Sequence, residues 1–124
     1  MTEELVTLET SKLLKEKGFN IYCENIIRED NGTIMKTVFR TNKDLPKLCY
    51  SRPTQALAVR WLREVKNLHI EIYRSAVGYG YAIVKADNGT WMEDDDSKGP
   101  NDGGNWDAYE EALEAGIFEA LKLI

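Results

Sequence analysis

Residues 68–92 read LHIEIYRSAVGYGYAIVKADNGTWM, and this stretch decides the fold class. Apolar and polar residues alternate over Leu68–Arg74, which is the pattern of a strand with one buried face. A second strand is expected over Tyr79–Ala86. The turn Asp87-Asn88-Gly89 then leads into a short third strand at Thr90-Trp91-Met92. Strands that are joined by such short turns pair antiparallel.

Two further strands are predicted nearer the N-terminus. Ile21–Arg28 and Ile34–Arg40 flank the dipeptide Asn31-Gly32, which is a strong hairpin signal. The segments 41–50 and 93–105 are predicted to be mobile loops, the second because it is rich in Asp, Gly and Asn. The sheet is therefore expected to consist of two hairpins.

The first predicted helix begins near Thr7, whose hydroxyl suits an N-cap, and it ends near Gly18. The second helix runs from about Pro53 to Lys66, with Ser51 or Arg52 before it, because proline fits the first turn of a helix.

The third predicted helix starts at Asp107 as its N-cap and reaches the terminal Ile124. Gly116 lies on its apolar stripe and indicates a close approach of the helix backbone to a neighbouring element. The stripe repeats at helical spacing and comprises Tyr109, Ala112, Leu113, Gly116, Ile117, Ala120, Leu121 and Ile124. The element order is α–β–β–α–β–β–(β)–α, which predicts a single α+β domain over residues 1–124, with helices covering one face of an antiparallel sheet.

Four parts of the chain carry a family resemblance. They are TLETSKLLKEKGF (7–19), RPTQAL (52–57) with WLREV (61–65), LHIEI (68–72), and YEEALEAG (109–116) with EALKLI (119–124). These segments resemble a family of small uncharacterised proteins from gut-bacterial genomes and their phage-like elements. The resemblance covers about half of the chain, namely the three predicted helices and one strand. It implies a mobile-element context and no particular activity.

The composition is that of an ordinary globular protein, with 124 residues, 43% hydrophobic and 30% charged. No apolar run approaches the roughly 20 residues that a membrane helix needs. The N-terminus has neither a basic nor an apolar signal region, so a cytoplasmic protein without membrane association is expected. In that compartment Cys23 and Cys49 are expected to be reduced thiols.

The charges are unevenly distributed along the chain. Residues 1–66 carry twelve Lys and Arg against nine Asp and Glu, whereas residues 67–124 carry four against twelve. This acidic second half argues against nucleic acid as a partner. A local basic face beside the second helix is the alternative, and its phosphate-facing residues would be Arg52, Arg60, Arg63 and Lys66.

Catalysis, cofactors and metals are not expected. His69 is the only histidine, and the sequence places no nucleophile beside it. No glycine-rich phosphate loop is present in the sequence. The acidic segment Glu93–Gly99 resembles a calcium loop. However, Lys98 stands at the fifth position, where an oxygen ligand is required, and Asn105 replaces the bidentate glutamate expected at the twelfth.

One group of aromatic residues is predicted to form a partner surface on the second hairpin. It comprises Tyr73, Tyr79, Tyr81 and Trp91. Aromatic residues on a polar sheet face are typical of partner binding. We therefore expect a non-enzymatic binding or interaction domain that binds a protein or itself. The alternatives are a nucleic-acid-associated accessory protein and a small enzyme whose site the sequence does not reveal.

Overall fold

The computed structural model describes residues 4–38, 40–96 and 98–124. Within these residues it contains three α-helices and two three-stranded antiparallel sheets, so the predicted α+β class is confirmed. The chain divides into two compact units, Met1–Leu57 and Ala58–Ile124, here called unit 1 and unit 2. Helix α2 (Gln55–Val65) runs across the boundary between them in sequence.

Unit 1 contains one helix and the first sheet. Helix α1 (Leu8–Glu16) begins as predicted, because the Thr7 hydroxyl accepts a hydrogen bond from the Thr10 amide at 3.3 Å. Lys17 is its C-cap, and a left-handed Gly18 with φ 95° follows. The sheet has the strand order β2-β1-β3, from β1 (Asn25–Arg28), β2 (Ile34–Lys36) and β3 (Cys49–Ser51).

The first predicted hairpin is confirmed, although its strands are shorter than predicted. Ile26 pairs with Met35 on one side of β1 and with Ser51 of β3 on the other. The sequence did not predict β3, since a three-residue strand is too short to show a periodicity.

The start of α2 differs from the prediction. The Thr54 hydroxyl accepts a hydrogen bond from the Leu57 amide at 3.1 Å and caps the helix. Ser51, one of the predicted neighbours of this helix, is instead a buried residue of β3. Pro53 therefore lies before the cap rather than inside the first turn.

Unit 2 contains the second sheet, which has the order β4-β5-β6. Its strands are β4 (Leu68–Ser75), β5 (Gly78–Lys85) and β6 (Trp91–Asp94). The two predicted hairpins thus lie in two separate sheets rather than in one, because each hairpin acquires a third strand of its own. Helix α3 (Tyr109–Lys122) packs on β4 and β5.

The predicted core face of α3 is confirmed from Ala112 to Leu121, and so is the close approach at Gly116, but Tyr109 is 47% exposed and the helix ends at Lys122. A Cβ atom at Gly116 would lie 2.9 Å from Ile70 Cγ2 and 3.3 Å from Tyr81 Cγ. Asp107 is not the N-cap, because Ala108 takes that position and the Asp107 carboxylate accepts a hydrogen bond from Asn101 at 2.8 Å. Of the helices in the described residues, none is long and apolar enough to cross a membrane.

Candidate functional site

The register of β4 and β5 decides which aromatic residues share a face of the second sheet. Tyr81 pairs with Ile72, and Tyr73 pairs with Gly80. Residues that pair directly across an antiparallel ladder project from the same face. Tyr79 and Tyr81 therefore lie on the face that α3 covers, whereas Tyr73 lies on the opposite face.

Tyr81 was predicted to belong to an exposed surface, and that placement is wrong. Its side chain is 0% exposed, and its ring lies 5.8 Å from the ring of Trp106. Burial raises the pKa of Tyr81 strongly, and its hydroxyl has no hydrogen-bond partner among the described residues. Tyr81 is consequently a core residue.

Tyr79 lies on the same face as Tyr81 and is half-buried. Its ring makes an edge-to-face contact with Tyr109 of α3 at 5.9 Å, and the Arg74 guanidinium lies 4.9 Å from its centroid. Tyr79 therefore packs against the chain's own helix α3 and against strand β4. The structure therefore does not bring the four predicted aromatic residues together, and only Tyr73 and Trp91 are on the face opposite α3.

The face opposite α3 is built from rows of residues that cross the three strands. One row contains His69, Val84 and Trp91, and the next contains Glu71, Ala82 and Asp94. The β5 residues in these rows, Gly80, Ala82 and Val84, carry smaller side chains than their neighbours on β4 and β6. We call this surface the acidic groove, with Gly80, Ala82 and Val84 as its floor and Glu71, Tyr73, Trp91 and Asp94 as its walls.

The walls of the acidic groove combine exposed aromatic rings with carboxylates. Trp91 is 60% exposed and Tyr73 is 43% exposed. The strands that carry Glu71 and Asp94, β4 and β6, lie two strand spacings apart, about 9.5 Å, with Ala82 of β5 between the two carboxylate residues. His69 lies beside Glu71, with its Nε2 atom 3.9 Å from Glu71 Oε1.

A hydrogen-bond network fixes Tyr73 at one end of the groove. The Tyr73 hydroxyl donates to the carboxylate of Asp95 at 2.8 Å, and Asn105 Nδ2 donates to the same carboxylate at 2.8 Å. The Ser75 hydroxyl donates to the Asn105 side-chain oxygen. Asp95 is 4% exposed, so these donors satisfy a buried carboxylate. Burial and then the bond to Asp95 raise the pKa of Tyr73.

Glycine at position 80 makes this arrangement possible. A Cβ atom there would lie 2.3 Å from Tyr73 Cζ and 2.7 Å from Asp95 Oδ2. The Tyr73 ring therefore crosses the floor of the groove at a strand position that has no side chain. The sequence did not predict this role, because residues 93–105 were expected to form a mobile loop.

Three of the four cations of the predicted basic face, Arg52, Arg60 and Lys66, have local partners. Arg52, in unit 1, donates from Nε to the Val6 carbonyl at 2.6 Å. In unit 2, Arg60 pairs with Glu64 at 3.2 Å. Lys66 lies 5.5 Å above the Trp61 ring, and Arg63 is exposed on α2.

Unit 1 contains a second polar cluster, which no sequence pattern indicated. Lys15 Nζ donates to the Cys49 carbonyl at 2.8 Å, and burial lowers the pKa of Lys15. The Tyr50 hydroxyl donates to Glu29 at 2.6 Å, which raises the pKa of Tyr50 to about 12. Lys12 and Tyr50 hold the pKa of Glu29 below its usual value. An open pocket of about 290 Å³ lies among Lys12, Lys15, Glu16 and Tyr50.

Both cysteines are buried free thiols, and burial raises the pKa of Cys23 to about 11. Over residues 4–38, 40–96 and 98–124, no group of three or more His, Cys, Asp or Glu side chains is arranged to hold a metal ion. Comparison with family models, with curated proteins and with solved structures found no match.

Proposed function

We propose that this chain is a non-enzymatic binding domain whose acidic groove holds a basic side chain of a protein partner. The observation that carries the proposal is the row in which Glu71 and Asp94 flank Ala82, on a face that also exposes Trp91. We further propose, from the sequence alone, that the chain is a cytoplasmic protein encoded by a phage-like element.

The chemistry of the groove favours a cation over an apolar or anionic ligand. A guanidinium or ammonium group between Glu71 and Asp94 has a carboxylate on either side. The exposed indole of Trp91 offers a π face to the same group, and tryptophan is the aromatic residue that attracts cations most strongly. Residues 67–124 carry a net charge of −8, which adds long-range attraction for a basic partner.

The test uses fluorescein-labelled peptides with one central arginine between apolar residues, and a matched set with the neutral isostere citrulline. We expect the arginine peptides to bind and the citrulline peptides to bind roughly tenfold more weakly, about 1.4 kcal/mol. Fluorescence anisotropy at low and high salt provides the measurement, and the affinity should fall as salt rises.

Two matched variant pairs locate the site. Glu71→Gln with Asp94→Asn should remove the preference for arginine, whereas Asp102→Asn with Glu111→Gln makes the same charge change at exposed positions elsewhere and should preserve it. Trp91→Ala should weaken binding, and Leu123→Ala, at another exposed apolar residue, should not. Equal binding of the arginine and citrulline peptides would refute the proposal.

A further inference from the structure

The backbone hydrogen bonds that β5 forms on the side away from β4 show how the backbone of β5 is oriented. The Tyr79 amide donates to the Trp106 carbonyl at 2.7 Å, and the Asp95 amide donates to the Tyr81 carbonyl at 3.2 Å. Backbone polar groups of successive residues in a strand point to opposite sides. The odd-numbered residues of β5 therefore bond away from β4, and the even-numbered residues bond towards it.

This alternation shows which backbone groups of β4 lie on the edge that faces away from β5. Even-numbered residues of β5 pair with odd-numbered residues of β4. The N–H and C=O groups of Ile70, Ile72 and Arg74 consequently point away from β5. No described residue of unit 2 forms a backbone hydrogen bond with this edge. An unpaired strand edge is a template for the addition of another strand.

We propose that β4 pairs antiparallel with β4 of a second copy of this chain, with Ile72 facing Ile72 of the second copy across a two-fold axis. The two sheets of unit 2 would then form one six-stranded sheet. An isologous contact of this kind closes after two copies. The inference concerns the edge of the sheet and is independent of the proposed function of its face.

The side chains along β4 favour this register. It places Ile72 against Ile72, Glu71 against Tyr73 and Ile70 against Arg74, so no like charges stand opposite each other. Sliding the second copy two residues in one direction places Glu71 directly opposite Glu71, which is destabilising. Sliding it the other way removes the Ile72 pair and shortens the overlap. The exposure of Glu71, Tyr73 and Arg74 leaves this part of the strand accessible.

Sedimentation velocity of the full chain over a wide concentration range tests the pairing. We expect wild type to reach twice the chain mass, and Ile72→Lys and Ile72→Glu to remain at the mass of one chain, because each variant places like charges at the two-fold axis. Mixing Ile72→Lys with ¹⁵N-labelled Ile72→Glu should restore a dimer that contains one chain of each, as read by native mass spectrometry. Val65→Lys and Val65→Glu, at an exposed apolar residue of α2, should leave the dimer unchanged.

Cysteine cross-linking tests the register without disrupting the contact. Directly paired residues have Cα atoms about 5.5 Å apart, within the range of a disulfide. We expect Ile72→Cys to form a covalent dimer under mild oxidation. Glu71→Cys should not, because the two copies of residue 71 would be about 8 Å apart in this register. Wild type, whose two cysteines are buried, sets the baseline.

Either of two results would overturn the inference. One is a wild-type protein that stays at the mass of one chain at the highest concentration reached. The other is a dimer that persists in both charged variants and cross-links at residue 71 as readily as at residue 72. A foreign strand at this edge would give the first result.

Discussion

Tyr73 and Asp95 form a hydrogen bond between an exposed aromatic side chain and a buried carboxylate. The Tyr73 hydroxyl lies 2.8 Å from both carboxylate oxygens of Asp95, while the Tyr73 ring passes over Gly80. A residue that is 43% exposed is thus held by an interaction inside the protein. This relationship links the surface of the acidic groove to the stability of unit 2.

Tyr73→Phe should destabilise the protein by about 1–3 kcal/mol, because it removes a donor from the buried carboxylate of Asp95. Urea unfolding followed by circular dichroism gives the free energy. The matched control is Tyr22→Phe, since the exposed Tyr22 hydroxyl donates to the Thr37 carbonyl at 2.8 Å. The control should lose less free energy of unfolding than Tyr73→Phe. Equal losses in the two variants would contradict the role given to Asp95.

Gly80→Ala should cost about 1–3 kcal/mol, because its Cβ atom would overlap the Tyr73 ring and the Asp95 carboxylate. The same substitution in a Tyr73→Leu background should cost less, because the ring is gone. A double-mutant cycle from thermal or urea unfolding measures the difference. Additive effects would show that Tyr73 does not occupy this position.

Tyr81→Phe should leave the free energy of unfolding unchanged or raise it, since the Tyr81 hydroxyl is buried without a partner in the described structure. Tyr81→Ala should instead cost about 3–5 kcal/mol, as expected for truncating a large core side chain. The comparison needs only the two unfolding curves. A surface role for Tyr81 predicts a small loss in both variants.

The Tyr50–Glu29 bond should appear in the alkaline stability of the protein. The pKa of Tyr50 is raised from its model-compound value of 10.0 to about 12. The folded state therefore holds the proton more tightly, and the stabilisation is fully present below pH 10 and is lost as pH rises from 10 towards 12. Tyr50→Phe should flatten the pH dependence of unfolding in this window. In Glu29→Gln, the absorbance of tyrosinate should develop at lower pH, and no change in that titration would count against the bond.

Much of the fold could be predicted from local patterns. The stripe on α3 placed Gly116 against the sheet, and the Asn31-Gly32 dipeptide located the first hairpin. These features depend on residues that are close in sequence. The short β3 depends on pairing with β1 across more than twenty residues, and no local pattern indicates such a contact.

The wrong placement of Tyr81 has a different cause, because its burial could have been predicted from the sequence. A tight hairpin between β4 and β5 pairs Tyr73 with Gly80 and Tyr81 with Ile72. Ile72 was already assigned to the core face, so its opposite residue belongs to the core as well. The burial of Asp95 could not be found in this way, since it depends on Asn105 and Tyr73, which are distant in sequence.

The network around Asp95 also bears on the order in which unit 2 assembles. The β4–β5 hairpin forms between neighbouring segments, whereas the Tyr73–Asp95 and Ser75–Asn105 bonds join residues 22 and 30 positions apart. Contacts between distant residues require longer loops to close, so we expect the hairpin to form before the network during folding. Interactions that form after the transition state govern the unfolding rate. We therefore expect the Tyr73–Asp95 and Ser75–Asn105 hydrogen bonds to form late, and to set how slowly unit 2 unfolds rather than how fast it folds.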